Sequence, residues 1–133
     1  MSRVGWCSRW KQLGIKEMTR HLQHLVAQIR MAGLPAPAAE YHFAPEVDGK
    51  PVRRWRFDLA WPAQQIAVEL EGSLFTGGRH GGARSAIRDV EKYNAAALLG
   101  WRVIRTVPSM VRSGAALVLV EIALGQRNVG EML

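Results

Sequence analysis

Asp58, Glu69 and Glu71 are the residues whose types and spacing could do chemistry. They stand in the stretch Arg53 to Gly72, where Trp55, Phe57 and Leu59 alternate with Arg54, Arg56 and Asp58, and Ile66, Val68 and Leu70 alternate with Ala67, Glu69 and Glu71. Alternation with period two marks half-buried strands, each with one apolar face and one face carrying acid. With Pro62 to Gln65 as the turn, antiparallel pairing brings Asp58 opposite Glu69, their Cβ atoms about 5 Å apart. Carboxylates held that close repel, and a cation or a shared proton must compensate. Mg²⁺, which takes one or two carboxylates together with waters and substrate phosphate oxygens, suits a ledge of two strands with one open side. The competing account is that Arg54 and Arg56 simply neutralise acids on a wet hairpin face. Removing either acid of the pair is expected to relieve repulsion and leave the metal-free fold at least as stable.

The elements that would position these acids can be followed along the chain. Residues 1–14, rich in Arg and Trp, form an N-terminal arm or short capping turn. From Ile15 to Met31 the spacing of Met18, Leu22, Leu25 and Ile29 predicts an amphipathic helix ending at Gly33 and the Pro35/Pro37 linker. Glu17, His21, His24 and Gln28 share a neighbouring stripe, where His21 and His24 are a faint zinc signal and a solvated face is the plain alternative. Glu40 to Phe43 is a strand candidate, and Asp48-Gly49 a turn feeding the acid-bearing hairpin, so that a three-strand meander is expected. After Glu71 comes a glycine-rich loop, Gly72 to Arg84, which could bring Arg79, His80 and Arg84 to a phosphate or be plain surface. Ser85 to Leu99 reads as a helix with Ile87, Val90, Ala97 and Leu98 on its apolar side and Asp89, Lys92 and Tyr93 on another, stopped by Gly100. Trp101 to Thr106 is a buried-type strand that a helical crossover makes parallel to the second hairpin arm. Pro108 ends it, and Ser109 or Ser113 caps a last helix through Leu124. The expected fold is an α/β, three-layer α/β/α sandwich with a mixed sheet of four or five strands, in a single domain spanning residues 1–133.

Taken together, Asp58, the ten-residue gap, Glu69-Leu70-Glu71, Gly72, His80, Asp89 and the strand Gly100-Trp101-Arg102-Val103-Ile104-Arg105 resemble the PD-(D/E)XK nuclease superfamily, and within it the branch similar to very-short-patch-repair endonucleases, which includes small endonuclease-like proteins of phages and bacteria. The resemblance covers roughly residues 15–125. It implies a restriction-endonuclease-like fold and a Mg²⁺-dependent DNA endonuclease, with Mn²⁺ able to substitute, acting on a junction, mismatch or flap in phage or bacterial recombination or repair. By the same resemblance Asp58, Glu69 and the Leu70 carbonyl would hold the metal, helped by Glu17 on the first helix. Arg79, His80 and Arg84 would contact phosphates, as would Arg54, Arg56 and Arg88. Glu71 departs from the pattern, because the superfamily usually has lysine there. Glu71 could orient the attacking water or hold a second ion, and Lys92, the only lysine downstream of the hairpin, could supply the missing ammonium from the following helix. The plain alternative for Lys92 is a solvent-facing pair with Asp89.

Composition bounds the partners. A chain of 133 residues with net charge +7 and 14 Arg against 4 Lys is one basic domain, and arginine's planar fork suits phosphate. Nucleic acid is the expected partner and a homodimer is compatible with the size. No apolar run approaches the roughly 20 residues of a membrane span, and no secretory h-region is visible, so a cytoplasmic location is expected. The single Cys7 excludes an internal disulfide and a Cys-rich zinc site. Two rivals to the nuclease remain: a catalytically inactive nucleic-acid-binding protein on the same fold, and a phage protein that inhibits a host protein.

Overall fold

The computed structural model of the chain describes residues 20–71 and 83–132. The expectations for the arm 1–14, for Glu17, and for Arg79 and His80 fall outside them. Helix α1, Arg20–Met31, buries Leu22, Leu25 and Ile29, the residues its 3-4 spacing selects. It ends where Gly33 turns left-handed at φ +74° and Leu34 donates back to the Ile29 carbonyl at 3.3 Å. The proline linker is tied down by Trp61, whose indole Nε1–H donates to the Pro35 carbonyl at 2.8 Å.

The main sheet has four strands, β1 (Ala38–His42), β4 (Arg56–Trp61), β5 (Ile66–Leu70) and β6 (Arg102–Thr106), in the order β1-β4-β5-β6. The pairs β1·β4 and β4·β5 are antiparallel, and β5·β6 is parallel, as the helical crossover requires. The three-strand meander expected from the sequence is present as β1-β4-β5. Between β1 and β4 in the chain, Glu46–Val47 (β2) and Lys50–Pro51 (β3) pair with each other as a separate small hairpin. Asp48 and Gly49 both have positive φ, the geometry of a tight type I′ turn, and it closes on itself before β4 begins.

Alternation assigns the sheet's residues to two faces, with one departure. Leu59, Trp61, Ile66 and Val68 form one core with Leu22, Leu25 and Ile29 of α1 and with Val111, Ala116 and Val120. Ala60 and Ala67 form the other with Ala96, Phe43 and Phe57. Phe57 therefore does not share a face with Leu59, as strict period two requires. Its ring stacks on Phe43 at 4.0 Å between centroids and lies 5.1 Å from Trp101. The departure coincides with Asp58 and with Glu40, which sits between the paired residues Ala39 and Tyr41 at φ +47°.

Helix α2, Ala83–Leu98, shows the inverse of the expected facing. Ile87, Val90 and Leu98 are exposed, whereas Ala96 is fully buried and Lys92 and Tyr93 are half-buried. Alanine at 60, 67 and 96 explains this, because three small side chains let the helix backbone settle close to the sheet while the long polar side chains one turn earlier reach its strands. Gly100, at φ +89°, ends α2, and a Cβ there would stand 3.1 Å from Gln65 Oε1. The last helix is broken in two. Pro108 starts α3 (Pro108–Ser113) rather than merely ending the strand, and Gly114 at φ +87° separates it from α4 (Ala115–Ala123). The Ser113 hydroxyl accepts the Ala115 amide at 3.3 Å across the break. Among the described residues no helix is long and apolar enough to cross a membrane.

Candidate functional site

The register of β4 against β5, Leu59 with Val68, Ala60 with Ala67 and Trp61 with Ile66, is the one a four-residue turn imposes. Carried one step further it sets Asp58 opposite Glu69. Here the ladder gives way to side-chain contact: the Leu70 amide donates to Asp58 Oδ2 at 2.8 Å. Leu70 thus meets Asp58 through its amide. Glu69 is buried on the α2 side of the sheet with an exposure of 8%. Desolvation, helped by the neighbouring charge of Asp58 and by hydrogen bonding to it, pushes the Glu69 carboxyl up to about 7, against the opposing pull of Lys92.

Lys92 descends from α2 onto this pair, its Nζ 2.5 Å from Glu69 Oε1, with 16% of the lysine side chain and 11% of the glutamate side chain exposed. The ammonium also lies 5.7 Å from the Phe57 ring centroid and 5.5 Å from that of Tyr93. The displacement of Phe57 to this face therefore gives the lysine stem an aromatic wall. Placing Lys92 beside Glu69 excludes the surface pair with Asp89.

Glu71 is engaged elsewhere. Its Oε1 accepts from Arg105 Nε at 2.5 Å and from the Tyr93 hydroxyl at 3.3 Å, and the guanidinium lies 4.6 Å from the Tyr93 ring centroid. The arginine holds the Glu71 carboxyl below the usual carboxylate range, and burial between Glu69 and Glu71 pushes the Tyr93 hydroxyl well up. Neither Tyr93 nor Arg105 stood out in the sequence as a site residue. The parallel register Glu69 with Arg105 is the signal that finds the latter.

Of the arginines, Arg84 and Arg88 are exposed on α2 and continue, at four-residue spacing, the stripe of Lys92 and Ala96 outward into solvent. Arg56 is paired with Glu40 at 3.7 Å and Arg54 is exposed ahead of β4. Neither arginine neutralises the acid pair. His21 and His24 line a cleft with Arg20 and Arg112. Two guanidiniums beside them make that cleft hostile to a zinc ion.

Among the described residues no three His, Cys, Asp or Glu side chains converge as metal ligands. The donor set is the Asp58–Glu69 pair, with Glu71 turned to Arg105. Were a hard divalent ion bound here, Asp58 and Glu69 would be the carboxylates to hold it, with water and phosphate completing its shell.

Two uncharacterized proteins of Mycobacterium tuberculosis, from the strains CDC 1551 / Oshkosh and ATCC 25618 / H37Rv, are each 31% identical to this chain over 80 residues, a match covering 60% of this chain and 27% of theirs. The chain spans about a quarter of the length of these curated relatives. No family model and no solved structure matches it.

Proposed function

We propose that the chain is a metal-dependent DNA endonuclease on a three-layer, restriction-endonuclease-like α/β/α fold. The observation that carries the reading is the seating of Lys92 on Glu69 beside Asp58, because it supplies an ammonium where the superfamily pattern has lost one at position 71. Asp58 and Glu69 would hold Mg²⁺ or Mn²⁺. When bound, such an ion makes water nucleophilic near neutral pH and offsets charge on the phosphorane-like transition state. Lys92 holds the remaining charge of the Glu69 carboxylate and offers its other N–H donors to the water or to a phosphate oxygen at the open side. Phe57 and Tyr93 exclude water from the lysine stem. Arg84 and Arg88 extend positive charge along the path by which a backbone would enter.

A second reading, nucleic-acid binding without cleavage, is favoured by one observation: the motif-lysine position is occupied by Glu71 and tied to Arg105. Incubating branched, mismatched, flapped and plain duplex DNA with the protein and Mg²⁺ or Mn²⁺ separates the two. Glu69→Gln is the matched control, since it keeps an acceptor for Lys92. Cleavage by the wild type and its loss in Glu69→Gln are expected. Binding without cleavage of any substrate would leave the second reading.

A further inference from the structure

We infer that Arg105 is a phosphate-contacting residue of this site, positioned by Glu71 and Tyr93, and that positioning Arg105 is the role of Glu71. The inference rests on the nucleic-acid reading above and adds a residue and a division of labour to it.

Parallel pairing sets Arg105 beside Glu69, and Trp101 and Val103 at the same period pack into the α2-side core. The Arg105 side chain therefore rises from the face that carries Glu69 and Glu71. Its Nε is spent on Glu71 Oε1. The terminal Nη1 and Nη2 groups, the fork that matches two oxygens of one phosphate, make no hydrogen bond to another described residue. The exposures differ in the way an anchor and a contact group should: 15% for the Glu71 side chain and 53% for that of Arg105. Tyr93 fixes the plane of the guanidinium from one side and hydrogen-bonds the same carboxylate oxygen, so both partners of Arg105 are themselves held. Asp89, on α2, acts on Arg105 only as a weaker, more distant charge. An ordinary surface ion pair needs none of this support.

Phosphate binding has a readout that a purely structural pair does not move, the salt dependence of DNA affinity. Measure fluorescence anisotropy of a labelled duplex from low to high KCl, with Ca²⁺ replacing Mg²⁺ to block cleavage. Arg105→Ala should bind about tenfold more weakly at low salt, the worth of one charge-assisted hydrogen-bonded contact, and should reduce the slope of log affinity against log salt by about 0.9. Arg105→Lys should keep the slope and lose affinity, because an ammonium cannot bind two oxygens through a fork. Glu71→Ala added to Arg105→Ala should weaken binding no further, since Glu71 acts through the arginine. Arg127→Ala, far along the chain and paired with Glu121 and Glu131, is the neutral control. Wild-type affinity and slope in folded Arg105→Ala would overturn the inference and leave the nuclease reading standing. If circular dichroism shows that Arg105→Ala does not fold, unchanged affinity in Arg105→Lys overturns it instead. A wild-type protein that binds no DNA at any salt would remove the parent reading and this one together.

Discussion

Replacing Lys92 by methionine keeps an unbranched apolar stem and removes the charge, which isolates the contribution of the buried pair. Glu69 and Lys92 expose only 11% and 16% of their side chains, so removing one partner leaves the other without compensation. Full breakage of a deeply buried pair costs about 3–5 kcal/mol, and this pair, open on one side, should cost about 2–3 kcal/mol when Glu69 is ionised. Ionisation depends on pH in a known direction. Burial and Asp58 raise the folded-state value of Glu69 from 4.5 to about 7, so the folded protein holds a proton that the unfolded chain releases, and stability falls as pH rises across that window. The loss amounts to roughly 3 kcal/mol at most. Removing Lys92, which pulls the value down, extends the loss to higher pH. Urea unfolding should therefore show Lys92→Met within about 0.5 kcal/mol of wild type at pH 5, where the acid is protonated in both, and about 2–3 kcal/mol less stable at pH 8. A difference equal at the two pH values would refute the coupling of Lys92 to Glu69, and with it the placement of the ammonium in the site.

Other consequences are quick to check. Asp58→Asn keeps an acceptor for the Leu70 amide while removing a like charge from Glu69, so in EDTA at pH 8 it should match or exceed wild-type stability; a loss of several kcal/mol in urea unfolding would make the acid structural. Mg²⁺ at ten times its dissociation constant should stabilise wild type by about 1.4 kcal/mol and leave Asp58→Asn unchanged, read as the shift in unfolding midpoint. Gly100→Ala forces a left-handed alanine and drives its Cβ onto the Gln65 side chain, which must give up its bond to the Leu99 carbonyl. A destabilisation of about 1–2 kcal/mol is expected, and none at all would mean that the turn relaxes freely.

The hairpin was legible because three independent signals agreed in it: period-two apolar residues, a proline-led four-residue turn, and acids on matching positions. Its register followed, and with it the Asp58–Glu69 encounter. What pattern could not reach was the orientation of α2. Ile87, Val90 and Leu98 make the more apolar stripe, yet the helix packs through Ala96, Lys92 and Tyr93. Periodicity weighs side chains by hydrophobicity, whereas packing here was decided by size, since only alanine at 60, 67 and 96 allows the close approach. The same misjudgement hid Phe57, whose face is set by an irregularity at Asp58 and Glu40 that no alternation rule encodes. For Glu69→Ala the structure also reverses the simple repulsion argument. The buried Lys92 ammonium would be stranded, and the variant should be less stable than wild type where Asp58→Asn is not.

The charges of the site close as a set only when strand and helix are read together. At the end of β5 the sequence places acid at 69 and again at 71, where the proposed nuclease pattern would place a base. Taken on the strand alone this doubles the negative charge and argues against phosphate chemistry. Across the sheet and from the helix, two cations arrive at the same two positions: Lys92 at Glu69, Arg105 at Glu71. Glu69 and Glu71 each have their own partner, Tyr93 lies against both cations, and Asp58, held by the Leu70 amide, is left without a cation among the described residues. On the proposed nuclease reading, the acid at position 71 is therefore compensated within the fold. A negative residue there costs the site no positive charge, provided that the lysine comes from α2 and the arginine from β6, and these are the two side chains whose removal the experiments above measure.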